Sequence, residues 1–333
     1  MAVELGALPE PDAAAPRSRA WLVVRRLLAV LAALVCLGVA VPTVAVALRR
    51  EPGILAILTA LMPYVAVVSL VGLLLALLSR NRVVIAVAAV LALVTIAWQL
   101  PLFVADPGGT GSPVLRVMSS NLKYGEGDAQ TVVDLVRSQH IDVLAVQELT
   151  PDSVQRLHDA GLDDLLPYST SLPETSFAGI GLWSRTPLAD LRAIDGLAAH
   201  AVAGVVTDSA GTSVTVVAVH PLAPGVDDHG GRDQDYGVLR AALAAIPGSV
   251  VVGGDFNATR DQAPFRSLES DGFRDAAEQA GAGFQPTFPN RRRGRPIVAI
   301  DHVIVRDLPV RAVSWQTFDV PGSDHLAVVA VYA

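Results

Sequence analysis

The stretch Gly253-Gly254-Asp255-Phe256-Asn257-Ala258 follows an apolar run and ends it with an acid and an amide. A second short polar stretch, Ser323-Asp324-His325, precedes the last apolar run of the chain. Gly, Asp and Asn all favour turns for backbone reasons, so either stretch alone predicts no more than a turn. Their order relative to other polar residues along the chain carries more information.

Polar residues stand at six points where an apolar, strand-like run begins or ends. These points are Asn121, Gln147-Glu148, His220, Asp255 with Asn257, Asp301-His302, and Asp324-His325. Polar side chains at strand ends that share one edge of a sheet form a common crevice. The pattern therefore predicts a site assembled at one rim of a β-sheet.

The residue types at these points suit phosphate ester hydrolysis. That reaction needs charge neutralisation on the phosphoryl oxygens, an activated water and stabilisation of the leaving oxygen. The side-chain oxygens of Asn121, Glu148 and Asp324 suit Mg²⁺ or Mn²⁺, whereas Zn²⁺ more often recruits cysteine or several histidines. The single cysteine, Cys36, lies far from these motifs in the sequence. We therefore expect a Mg²⁺-type site.

Several residues are candidates for proton transfer. An imidazole with a pKa near ~6.5 exchanges protons near neutrality, which suits His325 for the role of general base with a carboxylate to fix its tautomer. Asp255 competes for the role of activating water. Asn257 and His220 are suited to donate hydrogen bonds to the phosphoryl oxygens. The residues alone do not apportion these roles.

Residues 114–333 resemble the endonuclease/exonuclease/phosphatase superfamily, the DNase I-like family that includes nucleases, phosphatases and sphingomyelinases. In that family an early Asn and Glu hold a divalent cation, a GDFN strand end supplies an Asp and an Asn, and a terminal SDH supplies the catalytic His. The counterparts here occur in the same order. The resemblance implies a metal-dependent phosphoric ester or pyrophosphate hydrolase with a four-layer αββα sandwich. It also implies that Asp301 is the carboxylate partner of His325.

The coarse secondary structure agrees with such a sandwich. Short β-branched runs bounded by Gly, Pro or polar residues are typical of strands. Seven runs of this kind are Val114–Ser119, Val143–Gln147, Ile180–Trp183, Val214–His220, Ser249–Gly253, Ala299–Val305 and Leu326–Tyr332. Asp128–Gln139 and Tyr236–Ala245 have apolar residues at helical spacing and predict helices. About 220 residues suffice to bury two packed sheets in one domain.

Other polar residues lie beside the motifs and have less certain roles. A packing or surface role fits at least as well as a site role for Tyr124, Arg185, Arg240 and Thr287. The run Arg291-Arg292-Arg293-Gly294-Arg295 lies between two site motifs. Because arginine matches phosphate geometry, its four arginines predict a clamp for an anionic headgroup, with a solvated loop as the alternative.

The first 105 residues have the composition of a membrane anchor. Residues 27–48, 54–79 and 83–105 contain no Asp, Glu, Lys or Arg. Each exceeds the ~20 residues that cross a ~30 Å hydrocarbon core, so we expect three transmembrane helices, which tolerate Pro42, Pro63 and Pro101 as kinks or ends. The expected organisation is a cytoplasmic tail (1–26), a three-helix anchor (27–105), a flexible linker (106–113) and a catalytic domain (114–333).

Arginine counts predict the orientation of this anchor. With the amino terminus in the cytoplasm, six of the eight flanking arginines lie on the cytoplasmic side and two lie outside. Because cytoplasmic loops carry the excess of Lys and Arg, this orientation is favoured. We therefore expect a multi-pass protein of the cell membrane whose catalytic domain is extracytoplasmic. That domain contains no cysteine, so no disulfide forms within it.

The net charge of the chain after the anchor limits the class of substrate. From residue 106 onward the chain has 17 basic and 28 acidic residues, a net charge of −11, with Lys123 as its single lysine. Non-specific nucleases gain much of their affinity from Lys and Arg that neutralise phosphates, so nucleic acid is disfavoured. Tethering beside a bilayer raises the effective concentration of the site toward lipid-borne substrates.

We therefore expect a phosphorylated, lipid-linked substrate such as a phospholipid or a polyprenyl pyrophosphate. Two alternatives stay open: an extracytoplasmic Mg²⁺-dependent nuclease, and a non-catalytic module that binds an envelope ligand. The sequence gives no sign of an obligate protein partner. The layout of three spans followed by this domain, and its Arg/Ala-rich composition, also resemble the actinobacterial membrane proteins of the teicoplanin-resistance (VanJ-type) group.

Overall fold

The computed structural model describes residues 19–109, 111–225, 230–290 and 294–333. Four α-helices and a 3₁₀ helix near the amino terminus precede an α/β domain. Arg19–Leu48, Met62–Ser79 and Arg82–Phe103 are each long and apolar enough to cross a membrane. The anchor thus has the number of candidate spans that the sequence predicted.

The anchor divides one predicted span into two helices. Its elements are α1 (Arg19–Leu48), α2 (Ile54–Ala60), α3 (Met62–Ser79), α4 (Arg82–Gln99) and a 3₁₀ helix (Leu100–Phe103). The segment expected as a span over residues 54–79 is interrupted at Leu61, where the chain leaves helical geometry, as the expectation that Pro63 kinks or ends a helix allowed. Pro63 has no N–H and its ring clashes with the carbonyl four residues earlier, which ends α2 before α3 begins. Pro42 lies inside α1.

Two mixed six-stranded sheets form the centre of the C-terminal domain. The first contains β1 (Leu115–Asn121), β2 (Val143–Gln147), β3 (Tyr168–Leu172), β4 (Ile180–Ser184), β11 (Ala312–Asp319) and β12 (Leu326–Tyr332), in the order β11-β12-β1-β2-β4-β3. The second contains β5 (Ala189–Ala193), β6 (Val202–Thr207), β7 (Ser213–Val219), β8 (Val250–Asp255), β9 (Arg274–Asp275) and β10 (Asp301–Arg306), in the order β5-β6-β7-β8-β10-β9. All seven predicted strands are present among them.

Helices cover the outer faces of the sheets. They are α5 (Ala129–Ser138), α6 (Pro151–Asp159), α7 (Leu162–Leu165), α8 (Gly231–Ala244) and α9 (Ala263–Ser270), while the short helix α10 (Ala276–Gln279) contributes Ala276 and Ala277 to the core between the sheets. One buried cluster, which includes Val117 and Val251, lies between the sheets. A second contains Leu144 and packs the first sheet against α5 and α6, and a third contains Leu239 and packs the second sheet against α8 and α9. These layers form the predicted αββα sandwich.

The domain packs directly on the anchor. Trp98 Nε1 and Gln99 Nε2 donate to the buried carboxylate of Asp261 at 2.8 and 3.0 Å. Gln262 Nε2 donates to the carbonyl of Ala56 at 2.7 Å. At the start of the predicted linker, the backbone N–H of Asp106 donates to Gln279 at 2.9 Å. Polar contacts therefore hold the two parts of the chain together, in addition to the covalent connection.

Candidate active site

The strand ends predicted to share a rim do so. Asn121 and Asp255 are the last residues of β1 and β8. Asp301 is the first residue of β10 and pairs in register with Asp255, because β10 runs antiparallel to β8. Asp324 and His325 immediately precede β12, which is antiparallel to β1. Parallel strand ends and antiparallel strand beginnings therefore meet at one edge.

A pocket of about 360 Å³ opens at this rim. Its walls contain six of the predicted site residues, namely Glu148, His220, Asp255, Asn257, Asp324 and His325. The two others, Asn121 and Asp301, are buried beneath the pocket, where Asn121 bonds to Glu148 and Asp301 bonds to His325. The structure thus brings together all eight residues predicted to hold metal or take part in catalysis.

Asn121 links two carboxylates of the site. Its amide Nδ2 donates to Glu148 Oε1 at 3.0 Å and to Asp255 Oδ2 at 3.1 Å. Its Oδ1 accepts from the backbone N–H of Lys123 at 2.8 Å. Ser323 Oγ donates to the backbone carbonyl of Asn121 at 2.7 Å, which joins the first motif to the last one in the chain. The side chain of Asn121 is therefore held between the two sheets.

Two site residues have a left-handed backbone. Glu148 has φ 54° and Asn257 has φ 49°. Such conformations cost a non-glycine residue on the order of 1–3 kcal/mol and persist where the surroundings hold them. Here Glu148 Oε2 accepts from the backbone N–H of Tyr124 at 2.8 Å, and Asp255 Oδ1 accepts from that of Asn257 at 2.8 Å. The first bond fixes the side chain of Glu148, and the second holds the backbone of Asn257 beside the side chain of Asp255.

His325 and Asp301 form a buried pair. His325 Nδ1 lies 2.9 Å from Asp301 Oδ2, and its Nε2 lies 3.6 Å from Asp255 Oδ2. The Phe288 ring packs on the imidazole at a centroid distance of 4.7 Å. Thr287 Oγ1 accepts from the backbone N–H of Asp301 at 3.3 Å. Asp301 therefore lies where the family resemblance put the partner of His325.

The charges of this pair and of Asp255 shift one another. Burial alone lowers the pKa of His325, but the carboxylates of Asp301 and Asp255 outweigh it and raise that pKa to about 10. Burial raises the pKa of Asp255, but His325 and His220 outweigh it and lower that pKa to about 2. Burial raises the pKa of Asp301. These shifts favour the ionised form of Asp255 and the protonated form of His325.

His220 and Asn257 lie on the other side of Asp255. His220 Nε2 is 3.4 Å from Asp255 Oδ2, and its Nδ1 donates to the carbonyl of Phe177 at 3.1 Å. Asn257 Nδ2 donates to the carbonyl of Pro221 at 3.0 Å. Burial lowers the pKa of His220, but Asp255 outweighs it and raises that pKa. Both side chains can donate hydrogen bonds to an anionic group in the pocket.

The side chains of the site fit a divalent cation. Ligand atoms of Asp255, Asp301 and His325 all lie within 4.8 Å of one another. Among the predicted ligands, Asn121 and Glu148 share a hydrogen bond, and Asp324 lines the same pocket as Glu148. Carboxylate and amide oxygens are the ligands that hard cations prefer.

The residues with less certain roles separate into two groups. Tyr124 lines the pocket and Thr287 bonds to Asp301. Arg185 and Arg240 instead form salt bridges elsewhere, with Asp142 at 3.3 Å and Asp271 at 2.6 Å. A local pattern could not separate these cases, because the distinguishing partners are distant in sequence.

One residue of the predicted motifs lies outside the pocket, and two residues of the pocket were not predicted. His302 points away from the pocket and its Nδ1 lies 2.7 Å from Asp275 Oδ2. Phe177 and Phe288 line the pocket and were not predicted. The one available signal was that Phe288 directly follows the Pro286-Thr287 pair.

The predicted arginine clamp is described only in part. Arg295 is exposed in the loop before β10. Arg291, Arg292 and Arg293 lie outside the described residues. The clamp therefore stays a prediction.

Comparison with known proteins identifies the family. Residues 118–325 match the Endonuclease/Exonuclease/phosphatase family, and the chain belongs to it. Members of this family are generally phosphoester hydrolases, nucleases or phosphatases, and they typically use divalent metal ions. No curated protein matches the chain. The narrower resemblance to the VanJ-type group stays a prediction.

Solved structures have the same fold. The endonuclease/exonuclease/phosphatase from Bacteroides vulgatus matches with a TM-score of 0.53 and 20% identity, over 67% of this chain and 99% of that chain. D. rerio TDP2 complexed with a single-strand DNA product matches with a TM-score of 0.56 and 18% identity, over 66% and 98%. The corresponding protein from Beutenbergia cavernae matches with a TM-score of 0.51 and 18% identity, over 66% and 72%. Identities this low show the fold alone.

Proposed function

We propose that this protein is a membrane-anchored, divalent-metal-dependent phosphohydrolase that acts outside the cytoplasm on a phosphorylated, lipid-linked substrate. The observation that carries the hydrolase part is the convergence of eight predicted residues on one pocket of about 360 Å³. The lipid part rests on the contact between this domain and its anchor.

In this proposal, metal binding and proton transfer use different residues. Asn121, Glu148 and Asp324 would hold Mg²⁺ or Mn²⁺, which when bound would neutralise charge on the phosphoryl oxygens and help the leaving oxygen depart. His325 and Asp301 are bonded to each other at 2.9 Å, so we assign this pair to hydrogen bonding with the substrate and not to metal binding.

Asp255 and His325 have complementary protonation states. A histidine with a pKa of about 10 keeps its proton at neutral pH, so His325 donates to a phosphoryl oxygen instead of accepting from water. Asp255 is ionised and accepts the proton of the attacking water. Of the two candidates that the sequence left open for activating water, we therefore choose Asp255. Asp301 orients His325, while His220 and Asn257 donate to the developing charge.

Two short segments connect the pocket to the anchor. Residues 255–262 run from the pocket to Gln262, which bonds to Ala56 of α2. The second segment is residues 283–288. At its start, the backbone N–H of Gly283 donates to the carbonyl of Leu102 at 2.7 Å, and at its end Phe288 packs on His325. Five extended residues span at most ~18 Å, so the pocket lies within that distance of the anchor. A lipid headgroup at the membrane surface can reach such a site.

The anchor has an apolar groove near the same end. It lies between α3 and α4, has a volume of about 410 Å³ and is closed at the domain end by Phe284. Val67, Leu70 and Ile96 line it. The seven steps from Pro63 to Leu70 rise ~10 Å along the helix, which is within one leaflet of a ~30 Å core. The groove supports a substrate with a hydrocarbon chain.

One observation favours a nuclease as the second candidate. A D. rerio TDP2 structure of this fold contains a single-strand DNA product. Against this, residues 106–333 have a net charge of −11, and Lys123, which lines the pocket, pairs with Glu126 at 2.5 Å. A domain with so little free positive charge gains little from backbone phosphates.

A phosphate-release screen tests the proposal. The full chain in detergent is supplied with Mg²⁺ and offered polyprenyl pyrophosphate, phospholipid vesicles or single-strand DNA, with Asp255→Asn as the inactive control. We expect hydrolysis of a lipid-linked phosphate that a chelator abolishes. Cleavage of DNA alone would favour the nuclease, and no turnover of any substrate would favour a binding module.

A further inference from the structure

A second cavity lies between the anchor and the catalytic pair. Ala60, Pro63 and Leu102 of the anchor line one side, and Asp301 lines another. Its volume is about 30 Å³, which is enough for roughly one or two water molecules. The cavity therefore adjoins both the membrane helices and the carboxylate that holds His325.

Four residues that line this cavity have a buried, unpaired side-chain atom. Among the described residues, Asp301 Oδ1, Thr259 Oγ1, Arg260 Nε and Trp315 Nε1 have no hydrogen-bond partner. Buried polar atoms in folded proteins nearly always bond to protein or to ordered water. Four such atoms on residues around one small cavity point to a shared ligand.

The chemistry of the four atoms identifies this ligand. Arg260 Nε and Trp315 Nε1 only donate, Asp301 Oδ1 accepts when the carboxyl group is ionised, and Thr259 Oγ1 does both. The positive charge of Arg260 opposes a metal cation, and the carboxylates of Asp261, Asp275 and Asp301, which all line the cavity, oppose an anion. Water both donates and accepts and fits the volume. We propose that the cavity binds water that joins Asp301 to Thr259, Arg260 and Trp315.

This water gives the anchor a role in the active site. Asp301 bonds to His325 through Oδ2, so a hydrogen bond to Oδ1 fixes the rotation of the carboxylate and the direction of the imidazole. Ala60, Pro63 and Leu102 close the cavity on the anchor side, and Arg260 also donates to the carbonyl of Trp98 at 3.2 Å. Thr259 and Trp315 are positioning residues, and the anchor forms a wall behind the catalytic pair.

The first test is direct observation of the water. A high-resolution structure of the full chain in a lipid nanodisc should contain density within hydrogen-bond distance of Asp301 Oδ1, Thr259 Oγ1 and Trp315 Nε1. A cavity without density, or direct bonds among these side chains, would overturn the inference. This readout needs no activity, so it separates the cavity water from the proposed function on which the kinetic test rests.

The second test is kinetic and uses bis(p-nitrophenyl) phosphate, a soluble phosphodiester without a lipid chain. Thr259→Val keeps the shape but removes the hydroxyl, and it should lower kcat about tenfold by misorienting the catalytic pair. KM should change by less than about twofold, because no substrate contact is removed. Thr259→Ser restores the hydroxyl and should restore kcat. Equal kcat for the Val, Ser and wild-type proteins contradicts the inference.

A change confined to the anchor completes the test. Ala60→Leu places a larger side chain at the cavity from α2, displaces water and should lower kcat on the same soluble substrate. Ala89→Leu is the matched control, because Ala89 is an exposed residue of α4 that does not line the cavity. Melting temperatures identify any variant that fails to fold. If both Leu variants retain wild-type kcat, the anchor does not act on the site through this cavity.

Discussion

The pairing of His325 with Asp301 predicts non-additive losses of activity. His325→Ala and Asp301→Ala each remove one side of a buried bond of 2.9 Å. Loss of one hydrogen-bond donor to the developing phosphoryl charge costs ~10²–10³ in kcat, which at 1.36 kcal/mol per tenfold is about 3–4 kcal/mol in activation free energy. Asp301 makes no other side-chain hydrogen bond to a residue of the pocket among those described, so its effect should pass through His325.

The double mutant should therefore resemble the more impaired single mutant. Its coupling energy should approach the smaller single effect, because residues that act as a unit are strongly non-additive. Single-turnover kinetics with saturating Mg²⁺ provides the rates. The control is Asp142→Asn, which removes a carboxylate that pairs with Arg185 away from the pocket. A double mutant whose loss is the product of two large single losses would refute the pairing and indicate an independent role for Asp301.

Three further predictions follow from the anchor and its contact with the domain. Alkaline phosphatase fused after Ala333 should be active and green fluorescent protein dark at that position, whereas bright fluorescence would mean a cytoplasmic domain. Val67→Trp fills the groove and should lower kcat/KM for a long-chain lipid phosphate about tenfold, while its neighbour Val68→Trp should not; equal effects would exclude the groove. Burial raises the pKa of Glu269 from 4.5 to about 7, so the folded state holds this proton more tightly and loses stability as pH rises between those values. Glu269→Gln should therefore raise Tm at pH 8 more than at pH 4.5, and an equal change at both would contradict this.

The motifs predicted where the candidate site residues meet, because each motif stands at one end of a buried strand. The runs before Glu148 and after His325 became β2 and β12 with the predicted bounds, since both are fully or largely buried and read as short β-branched segments. Once those strands are placed, the chain direction alone carries Asn121, Asp255 and Asp301 to the same edge. Local sequence was therefore enough to predict that these residues share one rim of the sheets.

Other features depend on contacts that no local pattern carries. β5 (Ala189–Ala193) is exposed along its whole length, so it has no apolar alternation to detect. Trp98 and Asp261 are 163 residues apart in the chain, and their bond appears only when the domain packs on the anchor. Arg240 lies in α8 but pairs with Asp271, which removes it from the site. Side-chain partners, unlike strand ends, had to come from the structure.

Magnesium binding by the wild-type protein and Glu148→Gln tests the central claim most directly. The amide keeps the shape of Glu148, including its place beside Asn121, but loses the charge that holds a hard cation. Isothermal titration of the full chain should show saturable Mg²⁺ binding in the wild type and its loss in a variant of unchanged Tm, together with loss of phosphate release. Unchanged Mg²⁺ affinity and unchanged turnover in Glu148→Gln would contradict a metal-dependent phosphohydrolase site at this rim.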